Sequence, residues 1–345
     1  MNHRRMPLLI FILSFLVVSC APPPRQRFLW PVYPSTPRIE WLGTYSSQND
    51  FPQTGRQIFL ERITGKMAPE DFKFPYGIAR DSKGTVYVAD ALDSNLRVYD
   101  MAAQTVKNYS EDPLFGRPTD LAIDAADNLY VVDSDQATVL VFDKERRPLR
   151  AFGGPQDLQS PAYIAIDAKR ARIYVSDPRA NKIVIYDRFG NRVGVIGQQG
   201  GGEKGGHSFS SPQGMAIDED GNLYVAELLG AKISVFDAKG LYLRSFGERG
   251  DAVYQFEAPK DLAFDSDGNL WVVDTRRAQI YTYTPDGQLL LATGAAGPTA
   301  DPLGFNMPTA IFIADDDTIY VTDRVNRRFS VWRYLSERYL KEHPL

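Results

Sequence analysis

The chain has 345 residues, 43% of them hydrophobic and 12% aromatic, with 39 basic and 43 acidic side chains for a net charge of −4. That balance argues against a nucleic-acid footprint. The single cysteine excludes a disulfide framework and a cysteine-based metal site in the folded part.

Residues 1–19 read as an address. Asn2-His3-Arg4-Arg5 is a basic start, Met6 to Val18 is an apolar run too short to span comfortably, and Val17-Val18-Ser19-Cys20 offers small residues at a cleavage point. The segment resembles a bacterial lipoprotein signal with its lipobox. The resemblance implies cleavage before Cys20, lipidation of its thiol and a place in the cell envelope; Ala21 fits an outer-membrane or periplasmic-face location. Without residues 1–19 the balance is 37 basic to 43 acidic, a net charge of −6. Residues 20–37 carry Pro22, Pro23, Pro24, Pro31, Pro34 and Pro37, the composition of a semi-rigid polyproline tether. One domain follows at 38–335, with a tail at 336–345.

Arg38 to Tyr45 has the look of an outermost strand, yet it precedes everything it could complete. Arg56 to Gly65 places Ile58, Phe59, Arg62 and Ile63 at helical spacing, with Gly65 as a C-cap, and predicts one short helix. A unit then recurs six times, anchored at Pro75, Pro118, Pro161, Pro212, Pro259 and Pro308. In the fourth unit, Pro212-Gln-Gly-Met-Ala-Ile-Asp is followed by Leu223-Tyr-Val-Ala-Glu227, Ile233-Ser-Val-Phe-Asp237 and Leu241-Tyr-Leu-Arg-Ser-Phe-Gly247. These are short β-branched and aromatic runs bounded by Asp, Asn and Gly, the signature of antiparallel strands joined by hairpins. Three further columns agree in all six units. A large apolar residue stands three places before the proline (Phe72, Phe115, Leu158, Phe209, Phe256, Phe305). The second strand has a Tyr or Trp core (Tyr87, Tyr130, Tyr174, Tyr224, Trp271, Tyr320) and closes on an acid (Asp90, Asp133, Asp177, Glu227, Asp274, Asp323).

Sheets that cannot bury both faces alone stack on their neighbours. The fold class is therefore all-β, a six-bladed β-propeller of four-stranded antiparallel blades at 75–109, 118–153, 161–197, 212–247, 259–294 and 308–332. The sixth unit supplies only three strands, so the N-terminal strand at 38–43 closes the last blade and removes the exposed sheet edges.

The units resemble NHL repeats. Phe246-Gly-Glu-Arg-Gly and Phe256-Glu-Ala-Pro-Lys-Asp-Leu-Ala-Phe-Asp-Ser-Asp-Gly-Asn-Leu-Trp-Val-Val-Asp274 lie close to that pattern, over roughly residues 38–332. The resemblance implies a ring with a central channel that serves as a binding platform. The chain departs from it at Ala168 to Arg172 and at Asp315-Asp-Asp317, where the usual Gly-Asn turn is missing.

Asp218-Glu-Asp220-Gly-Asn222 and Asp265-Ser-Asp267-Gly-Asn269 resemble calcium loops but fall on hairpins, where those residues serve the turn. Arg179, Lys182, Lys232, Arg276, Arg277, Arg324, Arg327 and Arg328 give the loop face a basic arc, a surface for an envelope protein partner. Tyr76, Asp120, Tyr163, Gln213, Lys260 and Asp261 follow the anchoring prolines and are expected at the channel mouth as a ligand pocket. They form no recognisable catalytic set. His3 leaves with the signal, and His207 and His343 lie off the hub, so a histidine-held metal is not expected. The Gly-rich run 197–206 lacks the ending of a phosphate loop.

The expectation is a lipid-anchored, monomeric, non-enzymatic ring that binds an envelope protein, without cofactor or nucleic acid. The alternatives are a lactonase- or lyase-type enzyme with a calcium held by Asp120 and Asp261, and a glycan reader using the mouth tyrosines.

Overall fold

A computed structural model describes residues 27–32, 34–52, 62–63, 71–197, 207–297 and 301–344. The signal, Cys20, most of the tether, most of the segment expected as a helix and nearly all of the Gly-rich run lie outside the described residues.

The all-β expectation holds, as six blades of four antiparallel strands form a ring. In each blade the strands follow chain order from the hub outward, and the first strands pack on one another around the axis. Blade 6 is the exception. Its order is Pro308–Ile313, Thr318–Asp323, Arg328–Tyr334, Ile39–Tyr45, and then a fifth strand at Phe28–Trp30. The N-terminal strand closes the blade, pairing Ile39 with Tyr334 and Trp41 with Trp332. The added strand pairs Phe28 with Trp41, and Arg27 holds Glu40 at 2.7 Å. Closure by the two chain ends fastens the ring as a whole.

One hydrophobic core fills each of the six clefts between neighbouring blades. The apolar residues three places before the prolines are the plugs of these cores, and all six are buried. Burying a side chain of that size is worth about 1.5–3 kcal/mol. The column exists because a strand-four-to-strand-one loop must carry one large side chain into each cleft.

The hairpin carboxylates are turn residues. Asp218 accepts the Asn222 backbone and side-chain N–H groups at 2.8 Å each, and Asp265 receives Asn269 in the same way. In the two departing units Ala171 (φ 53°) and Asp317 (φ 62°), and in blade 2 Asp127 (φ 60°), take the left-handed position that Gly221 and Gly268 hold in blades 4 and 5. A non-glycine residue there costs about 1 kcal/mol.

The acids ending the second strands are fully buried and hold backbone amides, and two of them also meet a cation five residues on, Glu227 with Lys232 and Asp323 with Arg328. Asp90 accepts from Lys73 and Phe74, Asp133 from Gly116 and Arg117, and Asp274 from Glu257 and Ala258, at 2.7–3.1 Å. Each clamps the loop that delivers the first strand of its own blade. Those first strands carry a bulge directly after the proline in five blades, as at Pro118/Asp120 and Pro259/Asp261. A bulge re-aims side chains, and it lets two consecutive residues face the hub.

Candidate functional site at the channel mouth

The hub is built in two layers. Blades 2 and 5, opposite one another, place Asp120 and Asp261 in the deeper layer, both buried. Each carboxylate bridges to the following blade: Asp120 Oδ2 accepts the Ile164 N–H and Asp261 Oδ2 the Ile311 N–H, both at 2.9 Å. Room for them comes from the preceding blades. A Cβ at Gly77 would lie 2.5 Å from the Asp120 Cα, and one at Gly214 would lie 2.6 Å from the Asp261 Cα. Burial pushes the Asp261 carboxyl up to about 7 against the pull of the Ile311 and Leu262 amides and the Lys260 charge. Burial and the charge of Asp261 push Asp120 well above the usual carboxylate range.

Tyr163 shares this layer. Its Oη donates to the Thr309 carbonyl at 3.1 Å, reaching from blade 3 to blade 6, so its ring closes the channel beneath the mouth. The mouth itself has Lys260 at its centre. The Nζ donates to Gln213 Oε1 at 2.7 Å and lies 5.4 Å above the Tyr76 ring and 5.7 Å above the Tyr163 ring. Gln213 is fixed by Ser211 Oγ at 3.0 Å. The Tyr76 backbone is fixed by Thr322, whose Oγ1 donates to its carbonyl at 2.6 Å. A cation over two aromatic faces with an amide partner is a held, pre-organised donor.

All six residues expected at the mouth thus gather at the hub. Sequence reasoning missed Phe74 and set Arg324 with the outer loops. The Arg324 guanidinium lies 4.6 Å above Phe74, and Phe74 stacks on Tyr76 at 6.2 Å. A signal was present: only in blade 1 is the residue before the anchoring proline aromatic.

The donor set does not fit the calcium weighed for Asp120 and Asp261. A calcium ion takes six to eight oxygen ligands, whereas each carboxylate here already serves backbone amides and Lys260 adds a positive charge beside them. Among the described residues no three His, Cys, Asp or Glu side chains are grouped to hold a metal.

The basic arc is largely neutralised in place. Arg276 meets Glu257 at 3.4 Å, Arg277 meets Asp251 at 3.9 Å, Lys232 meets Glu227 at 3.6 Å, and Arg328 is buried against Asp323 at 3.4 Å. Lys182 donates to the Asp157 carbonyl at 2.6 Å. Arg179 and Arg327 are exposed. In blade 4 His207, Glu227 and Ser234 lie together, but His207 Nε2 meets both Glu227 Oε1 (2.7 Å) and Ser234 Oγ (3.4 Å), and Ser234 is fully buried. A relay needs the two ring nitrogens to serve different partners, so this cluster is a structural one.

No family model matches the chain, and no curated protein matches it. Solved structures do. Virginiamycin B lyase from Staphylococcus aureus is 14% identical with a TM-score of 0.57, over 76% of this chain and 95% of its own. A gluconolactonase from Xanthomonas campestris is 15% identical with a TM-score of 0.59, over 85% and 97%. A protein of unknown function from Bacteroides thetaiotaomicron is 16% identical with a TM-score of 0.63, over 86% and 75%. Likeness at these identities concerns the ring alone. It corrects the expectation of a non-enzymatic platform: two of these three similar rings are enzymes, so the architecture gives no ground for a scaffold-only reading.

Proposed function

We propose that the chain is an enzyme of the hydrolase or lyase kind, acting on a small carbonyl compound at the channel mouth. The observation that carries this reading is the Lys260 ammonium, held by Gln213 above the Tyr76 and Tyr163 rings over a closed floor. Two N–H donors of Lys260 remain for an oxygen that gains negative charge in the transition state. Asp261, buried in the layer beneath with its carboxyl raised to about 7, leaves the ammonium without an anionic partner. In hydrolysis of a cyclic ester, water adds its hydroxyl to the acyl carbon, the acyl C–O bond breaks, and the proton of that water ends on the departing oxygen.

The similar enzymes favour this over a scaffold. A variant of the lyase with one histidine replaced by alanine is catalytically inactive, and no histidine among the described residues of this chain stands at the mouth. The lactonase-like reaction is the better match. The resemblance to NHL repeats and the lipid anchor at Cys20 belong to the same proposal as its setting, an enzyme tethered in the cell envelope.

The test is turnover of a lactone panel that includes gluconolactone, with Lys260→Met beside the parent. Expected are hydrolysis by the parent, a fall in kcat/KM of about 100-fold in the variant, and activity unchanged by chelator. Absence of turnover across the panel would overturn the reading, and loss of activity in chelator would overturn its metal-free chemistry.

A further inference from the structure

Two half-buried cations at the mouth have no carboxylate partner among the described residues. Arg276, Arg277, Lys232 and Arg328 have carboxylate partners, whereas among the described residues Lys260 and Arg324 make no ion pair. Lys260 spends one N–H on Gln213. Arg324 Nη2 meets only the Met307 sulfur, a weak acceptor, at 3.1 Å, and its buried Nε has no acceptor. A buried guanidinium N–H without a partner is destabilising, and a ligand oxygen would relieve it. Beneath the two cations runs a ladder of rings, Phe74 to Tyr76 at 6.2 Å and Tyr76 to Tyr163 at 6.3 Å, with Arg324 over Phe74 and Lys260 over Tyr76 and Tyr163. Both carboxylates under the mouth hold protons more tightly than usual, which leaves its field positive.

We propose that the ligand taken at this mouth is a small organic acid, its carboxylate bound by Arg324 and Lys260 and its ring laid on Phe74 and Tyr76. The guanidinium fork matches a planar carboxylate, and the ring ladder beside the two cations supplies a flat apolar face. This assigns a substrate class and rests on the mouth being the site of action.

The experiment titrates the full chain at pH 7 and low salt with benzoate, benzamide and inorganic phosphate, binding being read by calorimetry. Benzoate is expected to bind at least about tenfold more tightly than benzamide and not to be displaced by an equal concentration of phosphate. Arg324→Gln and Lys260→Met are each expected to abolish the preference, and Arg324→Lys to restore part of it. Equal binding of benzoate and benzamide, or displacement by phosphate, overturns the carboxylate class, and that comparison needs only the parent chain. A preference that survives both substitutions overturns the assignment to this mouth. Binding is read without turnover. A chain that prefers benzoate but opens no ester keeps this inference and loses the enzyme reading; a chain that opens neutral lactones with no charge preference does the reverse.

Discussion

The Tyr163 phenol donates to the Thr309 carbonyl at 3.1 Å, and the two residues belong to opposite blades. A propeller is held mainly by contacts between neighbours, so a bond across the axis ties together blades that are not neighbours. Tyr163→Phe keeps the ring that fills the hub and removes the bond. The expected loss is about 1 kcal/mol, or about 2–4 °C in Tm for a chain of this size. Calorimetry at pH 7 checks it, and an unchanged Tm would mean that the bond only replaces one to water.

Asp261 gives the ring a pH dependence whose sign follows from its burial. Its carboxyl is raised from 3.8 to about 7 in the folded chain, so between those values the folded state holds a proton that the unfolded state has lost. Its contribution to stability is complete below pH 3.8 and declines toward pH 7, at about 1.4 kcal/mol per pH unit per proton. Asp120 adds to the same trend. Asp261→Asn keeps an acceptor for the Ile311 N–H and carries no charge. It should flatten the stability curve across that window and exceed the parent in stability at pH 8. Denaturant melts at several pH values decide the matter; a variant as pH-dependent as the parent would show that Asp261 is ionised in the fold.

Much of this was legible in the chain because a repeat writes each structural demand six times. The prolines, the plug residues from Phe72 to Phe305 and the acids from Asp90 to Asp323 each mark a place where every blade needs the same contact. The roles of the acids were less legible. A carboxylate at a strand end suggests the nearest cation, and Asp274 turned out to hold the amides of Glu257 and Ala258 because those donors are buried and water cannot serve them. The mouth was legible as a set of positions, since every first strand begins at the hub. What those positions do to each other was not. The reach of Tyr163 to Thr309 and the placement of Arg324 over Phe74 depend on ring geometry and on bulges that a linear pattern does not record.

The strand-ending acids lead to a second stability prediction. Asp274 is fully buried and accepts from Glu257 at 2.7 Å and from Ala258 at 3.0 Å. Asp274 also accepts from the Arg276 and Arg277 amides at 3.2 Å each, so Asp274→Ala strands four backbone donors and should cost about 3–5 kcal/mol. Asp274→Asn retains one acceptor and should cost less. Equal losses for the two variants would show that the charge, not the acceptor, holds the loop.

Anchoring is tested at Cys20, the only thiol in the chain. In a bacterial host fed labelled palmitate, the parent should take up label and sediment with membranes. Cys20→Ser should do neither, while a version beginning at residue 27 should melt as the parent does. Label retained in Cys20→Ser would remove the lipoprotein reading.

Closure of blade 6 carries the sharpest test of the architecture. Deleting residues 38–43 removes the pairing of Ile39 with Tyr334 and of Trp41 with Trp332. It uncovers Arg328–Tyr334 as a new sheet edge, lined with Phe329, Val331, Trp332 and Tyr334. An uncovered apolar edge templates aggregation, and Ile39 is itself buried in the core between blades 5 and 6. Because each blade is held by two neighbours, damage to one opens the ring. The deletion should therefore abolish the cooperative melt and drive the chain into the insoluble fraction, whereas deleting only Phe28–Trp30, the added outer strand, should leave a soluble ring with a lower Tm. A soluble 38–43 deletion with the parent's Tm would mean that the ring closes without its N-terminal strand.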